Sequence, residues 1–296
     1  MRLSVIIPVY NDSSGIDATL RSVTDQDHTD YEVIPVDNHS DDETPAIIRR
    51  WAHRCPDRVR PAAEHETQSS YAARNTGIRA ARGDVLVFLD ANMTAPPDWL
   101  SQIDAAFTTS EVDYLGYEIE VYLPEGEHSF WGWYDTVMGL PARYHYETKH
   151  FAPTAALAAR RTVFERVGLF DATAASGGDK AFGQRVHRAT DLTMGFRGDI
   201  RVFHPARTTF AAHCNKAVRV GRGMARLYAD APSADQAREA LRELRLHALP
   251  PDPRRIVRRA PGVPAARLPA LYVADLVIRY VRLYGALRYL WASSSE

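Results

Sequence analysis

Gly83-Asp84-Val85-Leu86-Val87-Phe88-Leu89-Asp90-Ala91-Asn92 carries an apolar run that ends on a carboxylate. Five consecutive apolar residues, β-branched and aromatic among them, run without interruption into Asp90. A short apolar run bounded by Gly and polar residues predicts a fully buried central strand, here residues 84–90. In open α/β sheets, ligands gather beyond the carboxyl ends of such strands. If the chain stays extended, Asp90 and Asn92 point the same way and share one ligand. Hard oxygen donors in that position suit Mg²⁺ or Mn²⁺ carrying a phosphate. The other reading of Asp90 is a cap on the following helix or turn.

Working outward, Leu3-Ser4-Val5-Ile6-Ile7-Pro8-Val9 is a second buried strand, followed by Asp12, Ser13 and Ser14 as N-cap types. Ile16, Leu20 and Val23 then recur at helical spacing. Tyr31-Glu32-Val33-Ile34-Pro35-Val36-Asp37 reads as a strand in which Pro35 lacks the N–H a central strand needs. A bulge or a locally unpaired edge is expected there. Pro45 opens the next helix, with Ile47, Ile48 and Trp51 on its face. Strand, polar loop and helix thus alternate twice, which implies βαβ units and a parallel sheet. Residues 69–82 read as a helix of small residues, with Gly83 as its C′ residue. Pro96-Pro97-Asp98 starts a helix running to about Phe107.

Past residue 110 the alternation breaks down. A strand is expected at Tyr114–Tyr122. A loop-rich aromatic segment follows, with Phe130, Trp131, Trp133, Tyr134, Tyr144, His145 and Tyr146. Its rings either stack on sugar or lipid or form satellite core. A strand over residues 154–158, a helix over Arg161–Val167, a turn at residues 168–171, a helix opening at residues 176–179 and a strand over residues 200–205 complete the pattern.

With 296 residues, 45% hydrophobic and 25% charged, the chain is of globular composition with ample core. Its net charge of −1 hides an asymmetry. From residue 201 on there are 17 Lys+Arg against 7 Asp+Glu, leaving 19 basic and 30 acidic side chains before it. A basic tail on an acidic body points to an anionic surface or polyanionic partner at that end. Lys216, Arg219, Arg222 and Arg226 share a helix face that is either near such a partner or simply solvated. Cys55 and Cys214 make no disulfide framework, and the N-terminal apolar run is too short for a signal-peptide core. A cytoplasmic protein is expected, held at the inner face of the cell membrane if the tail binds it. In residues 268–291, Asp275, Arg279 and Arg282 form one polar stripe on a broad apolar helix. The three charges of this stripe argue against a spanning helix. An interfacial helix fits, as does packing of the stripe on protein.

Several of these pieces together, across residues 3–228, resemble the inverting family 2 glycosyltransferases of GT-A fold. They are Val5-Ile6-Ile7-Pro8-Val9-Tyr10-Asn11, Val36-Asp37-Asn38-His39-Ser40-Asp41-Asp42, Ala73-Arg74-Asn75-Thr76-Gly77, Phe88-Leu89-Asp90-Ala91-Asn92, Val167-Gly168-Leu169-Phe170-Asp171, Gly177-Gly178-Asp179 and Val202-Phe203-His204-Pro205. The resemblance implies an α/β fold, the nucleotide-diphospho-sugar transferase type: one Rossmann-like domain with a mixed sheet, plus a C-terminal helical extension. Residues 1–230 would be catalytic, nucleotide-binding to 110 and acceptor-binding after it, with residues 231–296 as the extension.

On the same resemblance, Asp37 accepts the base imide, Pro8 and Tyr10 bed base and ribose, and Asp12 reaches a hydroxyl. Arg74 faces the diphosphate or braces the loop, Asn75 is structural, and Asp90 and Ala91 line the donor site. Asp90, Asn92 and His204 would hold Mn²⁺ or Mg²⁺, and Asp179 would be the general base. Two departures matter. Asn92 replaces the second Asp of Asp-x-Asp, so the metal is held more weakly. Gly178-Asp179 replaces a Glu-Asp pair, with Ala181 where another acid is common. The implied partners are a nucleoside-diphosphate sugar of UDP or GDP type, a carbohydrate or lipid-linked acceptor, an anionic membrane surface and a second copy of the chain, but no nucleic acid. A catalytically silent relative that binds nucleotide sugar or acts as a scaffold subunit is the rival. A sugar-phosphate nucleotidyltransferase would need a Gly-rich N-terminal loop, which is absent.

Overall fold

The computed structural model describes residues 1–229, 238, 241–242, 244–246, 248–260 and 263–293. Residues 231–237, 239–240, 243, 247 and 294–296 of the expected extension and the Pro261-Gly262 linker lie outside the described residues. Two compact units emerge: Met1–Glu120 with Pro141–Ala174 and Gly178–Pro205, and Val121–Leu140 with Ala175–Gly177 and the chain from Ala206.

The first unit is built on a seven-stranded mixed sheet of order β3-β2-β1-β4-β6-β5-β7. Strands β1 (Leu3–Val9), β2 (Tyr31–Asp37), β3 (Ala62–Ala63) and β4 (Val85–Phe88) run parallel, joined by α1 (Ser13–Thr24), α2 (Thr44–Arg54) and α3 (Ser70–Ala80). After α4 (Trp99–Thr109), β5 (Tyr114–Tyr122) and β6 (Leu157–Arg160) pair antiparallel, β6 against β4 as well. The chain therefore leaves β1 first toward β2 and later, on the other side, toward β4. The crevice at the carboxyl ends of β1 and β4 is the topological switch point where α/β proteins bind ligands.

Helices α6 (Ala142–Lys149), α7 (Arg161–Val167) and α8 (Gly178–Arg188) and strand β7 (Met194–Pro205) complete this unit. Phe88, Phe164, Phe170 and Phe182 form an aromatic core with β4 on one side, Phe164 and Phe182 stacked at 4.9 Å. Each such buried ring stabilises by about 1.5–3 kcal/mol relative to exposure. Strand β7 begins well before residue 200 because it pairs beside β5 at the sheet edge.

Local details confirm one expectation and correct others. Pro35 sits opposite Ile7 of β1. On its other side the ladder is only the isolated bridge Val33↔Val59 and, after a gap at Pro35, the pairs Val36↔Ala62 and Asp37↔Ala63. The missing N–H falls in that gap, so the unpaired-edge alternative is the one realised. Gly83 is not a helix C′ residue, because α3 ends at Ala80 with Ala81 extended. Glycine is needed there because a Cβ would lie 2.8 Å from the Arg2 carbonyl oxygen and the Ser4 nitrogen of β1. Strand β4 stops at Phe88, and Asp90 to Met93 form a turn closed by Met93 N–H donating to the Asp90 carbonyl at 3.1 Å. Residues 90–92 are therefore a turn and not the extended continuation of β4 that was expected. The Thr19 hydroxyl, 2.7 Å from the carbonyl oxygens of both Ala91 and Met93, pins that turn.

The second unit contains α5 (Phe130–Met138), α9 (Phe210–Ala229), α10 (Pro253–Arg259) and α11 (Leu268–Ser293). The expected aromatic loop is thus partly helix, with Ser129 capping α5 by accepting from the Gly132 N–H at 3.0 Å. Its Trp131, Trp133 and Tyr134 pack with Leu271, Ala274 and Ile278 of α11 as satellite core. Helices α9 and α11 cross at glycines: a Cβ at Gly221 would lie 2.0 Å from the Arg282 carbonyl oxygen, and one at Gly285 would lie 2.5 Å from that of Val218.

Candidate active site

The site grows from strand ends. At the end of β1, Pro8 is buried within the strand while Tyr10 stands 51% exposed. Asn11 takes the left-handed conformation at φ 46°, which Asn tolerates better than most residues. Its amide donates to Asp41 Oδ1 at 2.7 Å and accepts from the Asp41 N–H at 2.9 Å, so the loops after β1 and β2 are locked together. Asp12 is the α1 N-cap, accepting from the Gly15 N–H at 3.0 Å. Burial pushes its carboxyl upward, and the Gly15 N–H pulls it part of the way back.

At the end of β2, Asp37 Oδ1 is buried with no hydrogen-bond donor. Its neighbour Asn38 is buried and donates to the carbonyls of Glu64 and Thr67, closing a second loop over the strand end. Leaving a buried acceptor unpaired costs about 1–3 kcal/mol, so this oxygen calls for an N–H from outside the chain.

Helix α3 supplies the remaining cluster. Arg74, 4% exposed, donates through Nη2 to Asp90 Oδ1 at 2.6 Å, and its guanidinium carbon lies 5.4 Å from the Tyr71 ring centre. Arg74 Nε is buried without a partner. One helical turn before Arg74, the Tyr71 hydroxyl donates to Asp179 Oδ1 at 3.3 Å and accepts from the Asp179 N–H at 3.3 Å. Burial raises the Asp179 carboxyl above its ordinary range, against the Lys180 N–H, the Arg74 charge and the Tyr71 hydroxyl, which pull it down. Asn75 bonds both the N–H and the C=O of Phe170, tying α3 to the turn that precedes α8. Gly77 permits close packing on β1, since a Cβ there would lie 2.4 Å from Ile6 Cγ2.

His204, 4% exposed, lies one residue beyond the antiparallel bridge Thr94↔Phe203, which brings the end of β7 to the loop after Asp90. Its Nδ1 is 2.6 Å from the Pro205 carbonyl oxygen. A carbonyl oxygen can only accept, so Nδ1 carries the proton and the lone pair of the neutral ring lies on Nε2. Among the described residues no three His, Cys, Asp or Glu side chains converge as a metal cluster. The donors at hand are one partly exposed carboxylate (Asp90), the Asn92 amide and the His204 imidazole. Such a set fits a weakly held divalent ion better than a tight one.

The model of Glycosyl transferase family 2 matches residues 4–168, more than half of the chain. The chain belongs to this family. Glycosyltransferase AglE of Haloferax volcanii is 35% identical over 230 residues, covering 76% of this chain and 74% of AglE. Among solved structures, the mannosyltransferase PcManGT of Pyrobaculum calidifontis, in complex with GDP-Man and Mn²⁺, superposes with TM-score 0.66 at 21% identity, covering 98% of this chain and 87% of that one. S. aureus TarS 1-349, in complex with UDP-GlcNAc, gives 0.55 at 16%, covering 99% and 92%. The fold is GT-A, and the chain is a glycosyltransferase.

Within this glycosyltransferase, two contributors escaped the sequence reading. Tyr71 lies three residues before Arg74 on one helix face, a spacing that already marked it as a neighbour. Glu64 accepts from the Glu66 and Thr67 N–H groups and from the Thr76 hydroxyl at 2.6 Å, holding the loop that covers Asn38. Nothing local to Glu64 signals this, because its partners lie on α3 and its own loop.

Proposed function

We propose that this family 2 glycosyltransferase moves a sugar from a UDP- or GDP-type donor to a hydroxyl of a carbohydrate or lipid-linked acceptor, with inversion at the anomeric carbon. The observation that carries the reading is the unpaired, buried Asp37 Oδ1 at the carboxyl end of β2. The ring N–H of uracil or guanine supplies the missing donor, and exposed Tyr10 at the adjacent strand end offers a surface for the base or ribose. The two ligand-bearing neighbours, with GDP-Man and UDP-GlcNAc, support this donor class.

In the transfer, the acceptor oxygen bonds the anomeric carbon as the bond to the diphosphate breaks. The acceptor proton goes to Asp179, and the electron pair leaves with the diphosphate. Burial suits Asp179 to the task by raising its proton affinity. Arg74, with Nε unpartnered, directs positive charge to the diphosphate side. Asp90, Asn92 and His204 would hold Mn²⁺ or Mg²⁺, which when bound stabilises negative charge on the leaving group.

Calorimetric titration with UDP and GDP in the presence of Mn²⁺ tests this reading. One of them binds the wild type, and Asp37→Ala weakens that binding by about 1–3 kcal/mol, roughly five- to 150-fold. No binding of either nucleotide, or equal binding by the variant, refutes it.

A further inference from the structure

We propose that α11 docks its outward face on an anionic lipid bilayer. Of the two facings the sequence leaves open, the structure has the polar stripe packed on protein. Asp275 and Arg279 are 8% and 7% exposed, turned into the second unit, and the Tyr134 hydroxyl donates to Asp275 Oδ1 at 3.3 Å. The opposite face carries Val273, Val277, Tyr280, Tyr284, Leu287 and Trp291, which alternate by four and three residues and so form one continuous row. Their exposures run from 37% at Val277 to 75% at Trp291, and none carries a charge. A row of this length facing water on a soluble protein marks an interaction surface.

Charge decides what covers it. From residue 238 on, the sequence holds 11 Arg against 5 Asp+Glu. A pocket of about 260 Å³ lined by Arg238, Leu241, Arg242, Arg245, Leu246 and Leu249 places guanidinium groups beside apolar side chains. It adjoins α11, because the Arg279 guanidinium donates to the Leu246 carbonyl. Leu246 and Leu249 are 50% and 58% exposed. Arginines interleaved with exposed leucines match phosphate headgroups above acyl chains. A second copy fits less well. The flanking positions Ala274, Leu276, Val281, Leu283 and Arg288 carry no acid and so offer no interhelical ion pairs. Pairing two such tails would also bring like charges together. Tyr280, Tyr284 and Trp291 are the residue types that settle at the headgroup level. No helix among the described residues is long and apolar enough to cross a membrane, so the contact is interfacial.

The test is co-sedimentation of the full chain with phosphatidylcholine vesicles made with and without phosphatidylglycerol. It reads lipid binding whether or not the sugar-transfer reading holds. The wild type pellets only with phosphatidylglycerol, and less as salt rises. Tyr284→Glu with Leu287→Glu lowers the affinity at least tenfold without changing the melting temperature, since both side chains are exposed. Arg242→Gln with Arg245→Gln costs roughly fivefold per arginine and leaves the apolar row intact. If the glutamate pair also destabilises the fold, the arginine pair decides. Failure of the wild type to pellet with phosphatidylglycerol overturns the proposal. So does unchanged binding by the arginine pair, or a dimer in analytical ultracentrifugation that the glutamates dissolve while vesicle binding stays absent.

Discussion

Gly178→Ala is a one-methyl change that should travel directly to the proposed base. A Cβ at residue 178 would stand 2.8 Å from Tyr71 Cζ, and 2.9 and 3.0 Å from Cε2 and Cε1. The ring has little room to retreat. Tyr71 is 6% exposed, with Phe170 at 5.8 Å between ring centres and the Arg74 guanidinium at 5.4 Å. Overpacking of this kind costs about 1–3 kcal/mol, so the melting temperature falls. Displacing Tyr71 also breaks its hydroxyl contact to Asp179, one of the interactions that hold the carboxyl down against burial. The Asp179 pKa therefore rises further. The base is active only when ionised, so the acid limb of kcat/KM against pH moves to higher pH. Donor affinity, which rests on Asp37 and the strand ends, stays put. Tyr71→Ala in the Gly178→Ala background removes the clash, so the double variant loses less stability than the sum of the two single changes, a non-additivity that a double-mutant cycle measures. It does not restore the acid limb, because the hydroxyl is gone. A Gly178→Ala enzyme with wild-type melting temperature and an unmoved acid limb refutes the reasoning.

Asp179→Asn keeps a cap-competent oxygen and near-identical volume, so thermal stability holds while kcat drops by about 10²–10⁴-fold, read by single-turnover transfer. A kcat within a few-fold of wild type at unchanged donor affinity assigns Asp179 to capping alone. At the strand-end turn, Asn92→Asp adds a carboxylate next to Asp90 and tightens Mn²⁺-dependent nucleotide binding, whereas Asp90→Ala abolishes that dependence. Full transfer activity in EDTA sinks the metal assignment.

The strands were legible where burial on both faces leaves an unbroken apolar run, as at residues 5–9 and 85–88. Pro35 was legible too, because a missing N–H is a property of one residue and its cost falls on whichever neighbour sits opposite. The errors have a common cause, which is a partner distant in sequence. Gly83 looked like a helix terminus because only the passage of the β1 backbone explains its lack of a Cβ. The turn at Asp90 depends on the Thr19 hydroxyl from α1 and the bridge to β7. For α11, periodicity gave both faces of the helix, but the Tyr134 hydroxyl and the glycine crossing with α9 decide which one turns inward. Candidate residues such as Asp37 and Asp179 could be named from motif types. That Tyr71 bonds Asp179 could not, since the contact spans 108 positions.

Arg74 ties the two halves of the proposed chemistry together. It grips Asp90 on the leaving-group side, lies against the Tyr71 ring, and its charge lowers the carboxyl of Asp179 on the acceptor side. Where the family carries Asp-x-Asp, this chain has Asp90 and a neutral Asn92. A divalent ion held there would be opposed by one carboxylate instead of two, which would weaken its retention. With Asp90 already paired to Arg74, net charge at the turn is close to zero before any ligand arrives. The guanidinium, rigidly placed by burial and by its helix, then becomes a fixed source of positive potential that needs no reorganisation as charge develops on the leaving group. Its pairing with Asp90 also explains how a buried Arg is tolerated beside the sheet, since an unpaired buried cation is costly. In the proposed reaction the side chain that neutralises Asp90 would also stabilise the leaving group.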